Sequence, residues 1–273
     1  MKTFLKPLSL LACIAGCLML SFTALAEDPA PAAQEAKPAA APAAKKLTAT
    51  EILAKADKTV AGFDDQYMKI RLTVSGEKSG EREKLFEIYQ KGTKKRLIHF
   101  LAPGDVKGMA VLVKDPTHVY AYLPRMKKVR RVATHNMSQS FAGSDFTSDD
   151  MAVASYAEAY SATLTKEDDK YYYIKGVPNP DTATDFDYLT FKVGKDPRFL
   201  IWEIGYYKGD EMVRRFTMED PTNFDGKDAF RFKRVTMKNM RTNHESIMDI
   251  MEFKVNQGLK NKMFTERYMQ WMK

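Results

Sequence analysis

The side chains best suited to catalysis or metal binding are scattered along this sequence. Its four histidines are far apart, and none is spaced i, i+4 from another or lies beside a carboxylate cluster: His99, His118, His135 and His244. Ser144 lies near His135 in the sequence, but such closeness does not make a catalytic triad. No phosphate-binding glycine loop and no Gly-x-Ser-x-Gly elbow occurs. We therefore predict no catalytic residue, no metal site and no cofactor.

A basic segment is the densest cluster of charge in the chain. Five cations lie within seven residues: Arg125, Lys127, Lys128, Arg130 and Arg131. They directly follow the aromatic run Tyr-Ala-Tyr-Leu-Pro at 120–124. Two interpretations stay open, a solvated hairpin or a positively charged lip beside an apolar cavity. The lip would suit an amphiphile with a phosphate or an acidic partner protein, because neighbouring aromatic and basic residues are typical of a lipid–water boundary.

Apolar residues that could line such a cavity lie on several strand-like segments. In residues 109–113 and 200–206, large apolar groups alternate onto both faces of the expected strand. A sheet that is apolar on both faces is covered by helices or wraps a cavity. The chain also has 16 methionines, which either fill a core or line a surface that repacks around ligands. The groove candidates are Met68, Ile70, Leu72, Val74, Phe86, Ile88, Val111, Val113, Tyr120, Tyr122, Trp202 and Ile204.

Residues 1–26 have the features of a secretory signal peptide. Lys2 and Lys6 precede an apolar stretch, and Ala-Leu-Ala at 24–26 forms a cleavage site. The stretch is only marginally long enough to span a membrane, so we favour cleavage after Ala26 over a retained anchor. A competing lipoprotein site ends at Cys17, and a lipid-anchored form stays open as the alternative. We predict export to the periplasm.

Export changes the meaning of the formal net charge of +8. In a cytosolic protein this excess would suggest nucleic acid as a partner. In the periplasm the available acidic partners are lipid head groups, lipid phosphates and acidic protein surfaces. Both cysteines, Cys13 and Cys17, lie in the signal segment, so the exported chain has no thiol chemistry. We exclude nucleic acid and predict lipid or acidic protein partners.

The exported chain divides into a spacer and one folded domain. Residues 27–46 are mostly Ala and Pro, which cannot bury enough apolar surface to fold, so we expect a disordered linker. Residues 47–273 suit a single β-rich domain. It opens with an amphipathic helix, because Thr48 and Glu51 have capping-box spacing and Gly62 stands where a helix ends.

After this helix the hydrophobic period changes to two, which predicts strands. Turn-forming residues separate eleven such runs, so we expect an antiparallel meander that is closed or nearly closed. Short helices are predicted at Met151–Tyr160 and Lys262–Met272. The predicted strands are Met68–Val74, Lys84–Gln90, Arg96–Leu101, Met109–Lys114, Val119–Leu123, Tyr171–Lys175, Tyr188–Val193, Phe199–Tyr207, Met212–Met218, Phe230–Lys238 and Ile247–Val255.

Several sequence blocks resemble the LolA-like family of outer membrane lipoprotein-sorting proteins. They are residues 103–108 (Pro-Gly-Asp-Val-Lys-Gly), 120–124, 128–132, 141–147 (Phe-Ala-Gly-Ser-Asp-Phe-Thr), 231–239 and 264–268. The resemblance implies an unclosed antiparallel β-barrel whose concave face is covered by helices. It also implies a carrier of lipoprotein acyl chains, and members of this branch often accompany RND-type exporters.

The motif residues themselves are expected to be architectural. Thr147 and Asp150 fit the cap of a following helix, and Gly143 would permit a tight approach of the chain. Asp145 could pair with Arg130 or Arg131. The motif residues are Gly108, Phe141, Gly143, Ser144, Asp145, Phe146 and Asp150.

Together these features predict a monomeric periplasmic carrier. It would bind acyl chains of lipoproteins or other lipids in an apolar groove, exchange them with inner- or outer-membrane transport proteins, and deliver them towards the outer membrane. The alternative is a non-carrier docking subunit of an RND-type exporter that uses the basic segment. A hydrolase with Ser144 as nucleophile is a third hypothesis.

Overall fold

The computed structural model describes residues 46–75, 82–115, 117–133, 139–152, 155–182, 184–224, 226 and 229–272. The predicted signal peptide, almost all of the predicted linker and His135 lie outside these residues. None of the helices in the described ranges combines the length and hydropathy needed to cross a membrane.

The described chain folds mainly into β-strands with four short helices. The helices are α1 Ala49–Ala61, α2 Ser148–Ala152, α3 Tyr156–Ala159 and α4 Glu266–Met269. The strands are β1 Asp65–Ser75, β2 Arg82–Lys91, β3 Lys95–Ala102, β4 Ala110–Asp115, β5 His118–Leu123, β6 Lys128–Arg131, β7 Tyr160–Glu167, β8 Tyr171–Pro178, β9 Tyr188–Gly194, β10 Ile201–Lys208, β11 Glu211–Asn223, β12 Phe230–Asn239 and β13 Glu245–Val255.

All thirteen strands form one antiparallel sheet. Its order is β6-β5-β4-β3-β2-β1-β13-β12-β11-β10-β9-β8-β7. Strands that are consecutive in sequence pair with one another, except β6 and β7, and the first strand pairs with the last. The two free edges are therefore β6 and β7, which are consecutive in sequence. The segment that joins them contains α2 and α3. The predicted unclosed antiparallel barrel is confirmed.

The sequence-predicted strands all appear, and the two strands that were not predicted are the two edges. β6 has the sequence Lys-Val-Arg-Arg, and most of its residues are exposed. β7 also exposes most of its side chains, and it begins at Tyr160, where a helix was predicted to continue. The predicted helix Met151–Tyr160 is wrong in extent: α2 ends at Ala152 and the separate α3 begins at Tyr156.

Helix α1 begins and ends as its sequence predicts. The Thr48 hydroxyl accepts a hydrogen bond from the Glu51 N–H at 3.2 Å, and the Glu51 carboxylate accepts one from the Thr48 N–H at 2.8 Å. At the other end, a Cβ on Gly62 would lie 2.3 Å from the Lys58 carbonyl oxygen. Glycine is therefore required at this position by close approach of the backbone, at a negative φ of −75°.

Alternate residues of the strands form the concave face and pack against α1 in the main core. Ile52 and Leu53 of α1 are fully buried there. An aromatic cluster joins β2, β3 and the loop before α2: the Phe86 ring centroid lies 5.3 Å from that of Phe100 and 6.0 Å from that of Phe141. Helices therefore cover the concave face, as the sequence resemblance implies.

The opposite face of β3–β5 is covered by the C-terminal segment. Phe264 and Met269 are 4% and 0% exposed, and they pack on Leu97 and Leu112 in a second, smaller core. Helix α4 thus lies on the outer face of the sheet, whereas α1–α3 are on the concave side. A chain segment on each face explains why β4 is apolar in both directions.

We expect truncation of Phe86 to alanine to lower the free energy of unfolding by about 3–5 kcal/mol, because its side chain is fully buried among other rings. Guanidinium titration followed by far-UV circular dichroism measures this value. The control is Trp271→Ala, since Trp271 is 65% exposed and should change the unfolding free energy by less than about 1 kcal/mol. Equal losses in the two variants would contradict the assignment of the main core.

Candidate functional site

Most of the predicted groove residues lie together on the concave face. Those that belong to or contact the main core are Met68, Ile70, Leu72, Val74, Phe86, Ile88, Val111 and Ile204. Val113 forms a small neighbouring cluster with Val119 and Val132. Leu72 and Phe86 are fully buried, so this face is covered by the protein's own side chains in the present conformation.

Three groove candidates lie elsewhere. Tyr120 and Tyr122 pack against the second core, under the C-terminal segment. Trp202 contacts Tyr171 and Phe232, with ring centroids 6.1 Å and 5.1 Å away, and does not belong to the main core. The two-sided apolar pattern of β4 and β10 therefore does not mark a cavity. It reflects the C-terminal cover over β4 and an aromatic cluster beside β10.

Helix α1 is held on the concave face through its last carbonyl groups. Arg231 of β12, 8% exposed, donates to the carbonyl oxygens of Thr59 at 3.1 Å and of Val60. It also donates to the side-chain oxygen of Gln66, whose amide in turn donates to Val60 at 3.1 Å. Burial, followed by the charge of Arg96, lowers the pKa of Arg231 to about 9. A cation at the helix C-terminus also interacts favourably with the helix dipole.

Helix α2 is held in a similar way by arginines from β3 and β11. Arg96 donates to the Met151 carbonyl and, at 3.1 Å, to Gln90. Arg214 donates to Asp150 at 2.5 Å, and these side chains are 9% and 11% exposed. The Asp150 carboxylate also accepts a hydrogen bond from the Tyr206 hydroxyl at 3.3 Å. These bonds are the polar attachments of α2 to the concave sheet.

Helix α3 is attached to α1 by one carboxylate. Asp57 accepts hydrogen bonds from the Ser155 hydroxyl at 2.7 Å and from the backbone N–H groups of Tyr156 and Ala157 at 3.1 Å and 2.9 Å. Burial raises the pKa of Asp57, and the N–H donors oppose that rise. Because α3 is bonded to α1, the two helices must move together or break this contact.

The motif residues at 141–150 shape the turn into α2. The Thr147 N–H donates to Asp150 at 2.7 Å and the Asp150 N–H donates to the Thr147 hydroxyl at 3.2 Å, which confirms the predicted helix cap. Gly143 has a φ of 74°, in the left-handed region that favours glycine. The Ser144 hydroxyl donates to the Phe141 carbonyl at 2.6 Å, so it serves this turn.

Two other motif residues are placed by the backbone and the core. Gly108, between β3 and β4, has a φ of 79°, and its N–H donates to the Phe100 carbonyl at 2.8 Å. Phe146 is 1% exposed and contacts Phe216 edge-on, with ring centroids 5.9 Å apart.

Asp145 does not form the expected pair with Arg130 or Arg131. Its carboxylate lies 2.6 Å from His244 Nδ1 and accepts a hydrogen bond from the Ser246 hydroxyl at 2.7 Å. Its N–H also donates to Ser246 at 2.9 Å, which fastens the turn to β13. This partner could not be predicted from local sequence, because His244 and Asp145 are far apart along the chain.

The basic segment forms the hairpin between β5 and β6. The turn is a short 3-10 helix at Pro124–Met126, and Lys127 follows with a φ of 51°. All five of its cations are exposed. Arg131 donates to the Thr117 carbonyl at 3.1 Å. The hairpin carries one edge of the sheet, and among the described residues no acidic side chain forms an ion pair with it.

The other two described histidines, His118 and His99, each lie near a carboxylate. His118 bonds to Asp115 at 2.8 Å in an exposed turn, and His99 is buried on the outer face, 4.0 Å from Glu87. In the described part of the chain, no group of three or more His, Cys, Asp or Glu side chains could hold a metal ion.

A family model described as "Uncharacterized protein" matches residues 92–271. The chain belongs to this family. No curated protein matches the chain. The family's matched region contains β3–β13, α2–α4 and both sheet edges, so it includes the whole concave site except α1, β1 and β2.

Three crystal structures share the fold of this family member. A DUF1329 family protein from Desulfovibrio piger ATCC 29098 has a TM-score of 0.74 and 20% identity, covering 81% of this chain and 97% of its own. A putative outer membrane lipoprotein-sorting protein domain from Vibrio parahaemolyticus has a TM-score of 0.74 and 18% identity, covering 81% and 98%. A LolA superfamily protein from Nitrosomonas europaea has a TM-score of 0.69 and 21% identity, covering 82% and 100%. The LolA-like resemblance is confirmed for the fold.

The arginines that hold the helices were not identified from the sequence. Arg96 stands two residues before Ile98, so strand alternation alone places it on the inward face. Arg231 and Arg214 lie within predicted strands, but no role was predicted for either side chain. The available signal was an arginine at an inward-facing strand position. A buried guanidinium group requires hydrogen-bond acceptors, which such a position would have predicted nearby.

We expect Asp149 to make the attachment of α2 depend on pH. Burial, followed by the charges of Asp150 and Asp185, raises the pKa of Asp149 to about 6. The folded state therefore binds a proton on the Asp149 carboxyl group more tightly than the unfolded chain does. The stability that this protonation adds is lost as pH rises through about 6. Melting temperatures measured from pH 5 to pH 7 should fall more steeply for the wild type than for Asp149→Asn. Parallel curves would contradict this assignment.

Proposed function

We propose that this protein is a periplasmic carrier that binds acyl chains against its concave face after the covering helices move aside. The observation that carries the proposal is that α1 and α2 are attached to an extensive apolar surface by few polar bonds, centred on Arg231, Arg96 and Arg214. An acyl chain could replace the apolar side chains of those helices. Burial of the acyl chain contributes about 0.8 kcal/mol per methylene group, which offsets the cost of exposing the apolar side chains of the helices.

Arg214 also offers a contact for the polar part of a lipid. Its Nη2 bonds to Asp150, while its Nε and Nη1 are buried without a hydrogen-bond partner among the described residues. Buried guanidinium N–H groups favour an acceptor. Ester, carboxylate or phosphate oxygens of a bound lipid would supply one.

Binding by apolar burial requires a partner for release, because a bound acyl chain does not return to water readily. We propose that inner- or outer-membrane transport proteins load and unload the carrier, and an RND-type exporter is one such partner. The proposal places the protein in the periplasm as a monomer without catalytic activity. The LolA-type fold and the predicted signal peptide support this location.

The first test of the carrier function is to identify bound lipid. The full chain, expressed in a bacterial host with its N-terminal segment intact, is purified without detergent, extracted with organic solvent and examined by mass spectrometry. We expect acyl lipid at a stoichiometric amount. Protein that is consistently free of lipid, and that also fails to bind a dansyl-labelled fatty acid, would overturn the proposal.

A second experiment tests whether the covering helices limit binding. Asp150→Asn removes the anionic partner of Arg214 and weakens the attachment of α2, so more of the protein should occupy the open state. Only the open fraction of the protein binds lipid, so the apparent affinity rises with that fraction. The variant should therefore bind the dansyl-labelled fatty acid about tenfold more tightly than the wild type.

The matched control is Asp249→Asn. It breaks another arginine–aspartate pair, with Arg234 at 2.8 Å, but the two side chains of that pair are 47% and 26% exposed and lie on the outer face of the sheet. We expect its fatty-acid affinity to equal that of the wild type. If Asp150→Asn behaves like this control, α2 does not limit access to the concave face.

A further inference from the structure

Strand β6 is a free edge of the sheet. It is the first strand in the sheet order, and no described strand pairs with its outer side. Edge strands carry a row of unpaired N–H and C=O groups to which another extended segment can pair. The hairpin of β5 and β6 projects this edge from the fold through the exposed turn at Pro124–Met126.

The hydrogen-bond pattern identifies which backbone groups are free. The Val132 N–H donates to the Val119 carbonyl at 2.8 Å, so these two residues form a hydrogen-bonded pair. Such pairs alternate along an antiparallel ladder. Ala121 opposite Arg130 is therefore the next bonded pair, whereas the N–H and C=O groups of Val129 and Arg131 point away from β5.

The edge is positively charged along its whole length. The exposed cations are Arg125, Lys127, Lys128, Arg130 and Arg131. Among the described residues none of these five cations lies in an ion pair. By contrast, the nearby Lys114 of β4 does pair, with Glu266 at 2.9 Å. Like charges repel a second copy of this edge, which disfavours self-association through β6 and favours an acidic partner.

We propose that β6 is a docking edge for an extended acidic segment of a partner protein, which adds to the sheet beside Val129 and Arg131. Backbone N–H and C=O groups of alternate residues in the segment would bond to the free C=O and N–H groups of Val129 and Arg131. The carboxylates of the segment would face Lys128 and Arg130. A lipid surface satisfies this edge less well, because phosphates accept hydrogen bonds but supply no donor to the free carbonyls. The inference does not depend on what the concave face binds.

The experiment measures binding of a short fluorescein-labelled peptide that alternates glutamate with valine, by fluorescence anisotropy with the full chain. The double variant Lys128→Glu, Arg130→Glu should weaken binding at least about tenfold, and the wild-type affinity should fall with added salt. The control is Lys208→Glu, Lys233→Glu. It makes the same change in net charge at exposed positions on β10 and β12, and should leave the affinity unchanged.

Pairing of the backbone is tested separately from charge. Val129→Pro removes an N–H that makes no bond within the sheet, so the fold should persist by circular dichroism while peptide binding weakens about fivefold. A peptide with N-methyl groups on alternate backbone nitrogens should bind the wild-type protein as weakly as the unmethylated peptide binds Val129→Pro. This second test requires no change in the protein.

Three outcomes would overturn the proposal. They are absence of peptide binding by the wild type, equal loss in both charge variants, and full affinity of the N-methylated peptide. Binding to vesicles that contain phosphatidylglycerol, without binding to the peptide, would assign the basic edge to membrane lipid and also overturn it. A dansyl-labelled fatty acid serves as an independent readout, because its binding should be unaffected by the β6 variants.

Discussion

The arrangement of this protein depends on buried arginines that donate hydrogen bonds to backbone carbonyl groups. Arg231 bonds to the end of α1, and Arg96 bonds to the end of α2. Burying a guanidinium group is costly unless its N–H groups have acceptors, and an isolated helix of five residues is not stable by itself. Each partner therefore stabilises the other: the helix satisfies the arginine, and the arginine holds the helix in place. The apolar face beneath remains covered only while both are present.

The sheet separates two kinds of burial that look alike in sequence. On the concave side, apolar strand residues meet helices that are attached by polar bonds. On the outer side of β3–β5, the second core packs under the C-terminal segment, where Phe264 and Met269 are almost completely buried. Both covers combine close packing with polar contacts. On the concave side the paired charges of Arg214 and Asp150 are buried, whereas on the outer side Lys114 pairs with Glu266 between exposed side chains. Charge substitutions should therefore cost more stability on the concave side.

Local patterns predicted the sheet well because alternation reports burial on one face. Met68 to Val74 alternate and lie in a central strand, and the capping box at Thr48 forms as its spacing predicts. The edges were missed for different reasons: β6 is short and mostly charged, whereas β7 alternates only over Tyr160–Leu164 and follows directly on a segment that was predicted to be helical. Contacts between distant residues, such as Asp145 with His244 and Arg214 with Asp150, were also missed. They depend on register and helix placement, which no local pattern contains.

The pairing of β1 with β13 has a consequence for how the chain acquires its fold. Gln66 lies opposite Val255, so the centre of the sheet joins segments from the two ends of the domain. Contacts between such distant segments form slowly, because the entropy of closing the intervening loop is lost first. A chain that emerged from a translocation channel N-terminus first would pair β1 with β2 early, but would leave the other edge of β1 open until β13 had crossed. The centre of the sheet would then close only after transit was nearly complete, and the open edge would need protection from aggregation during that interval.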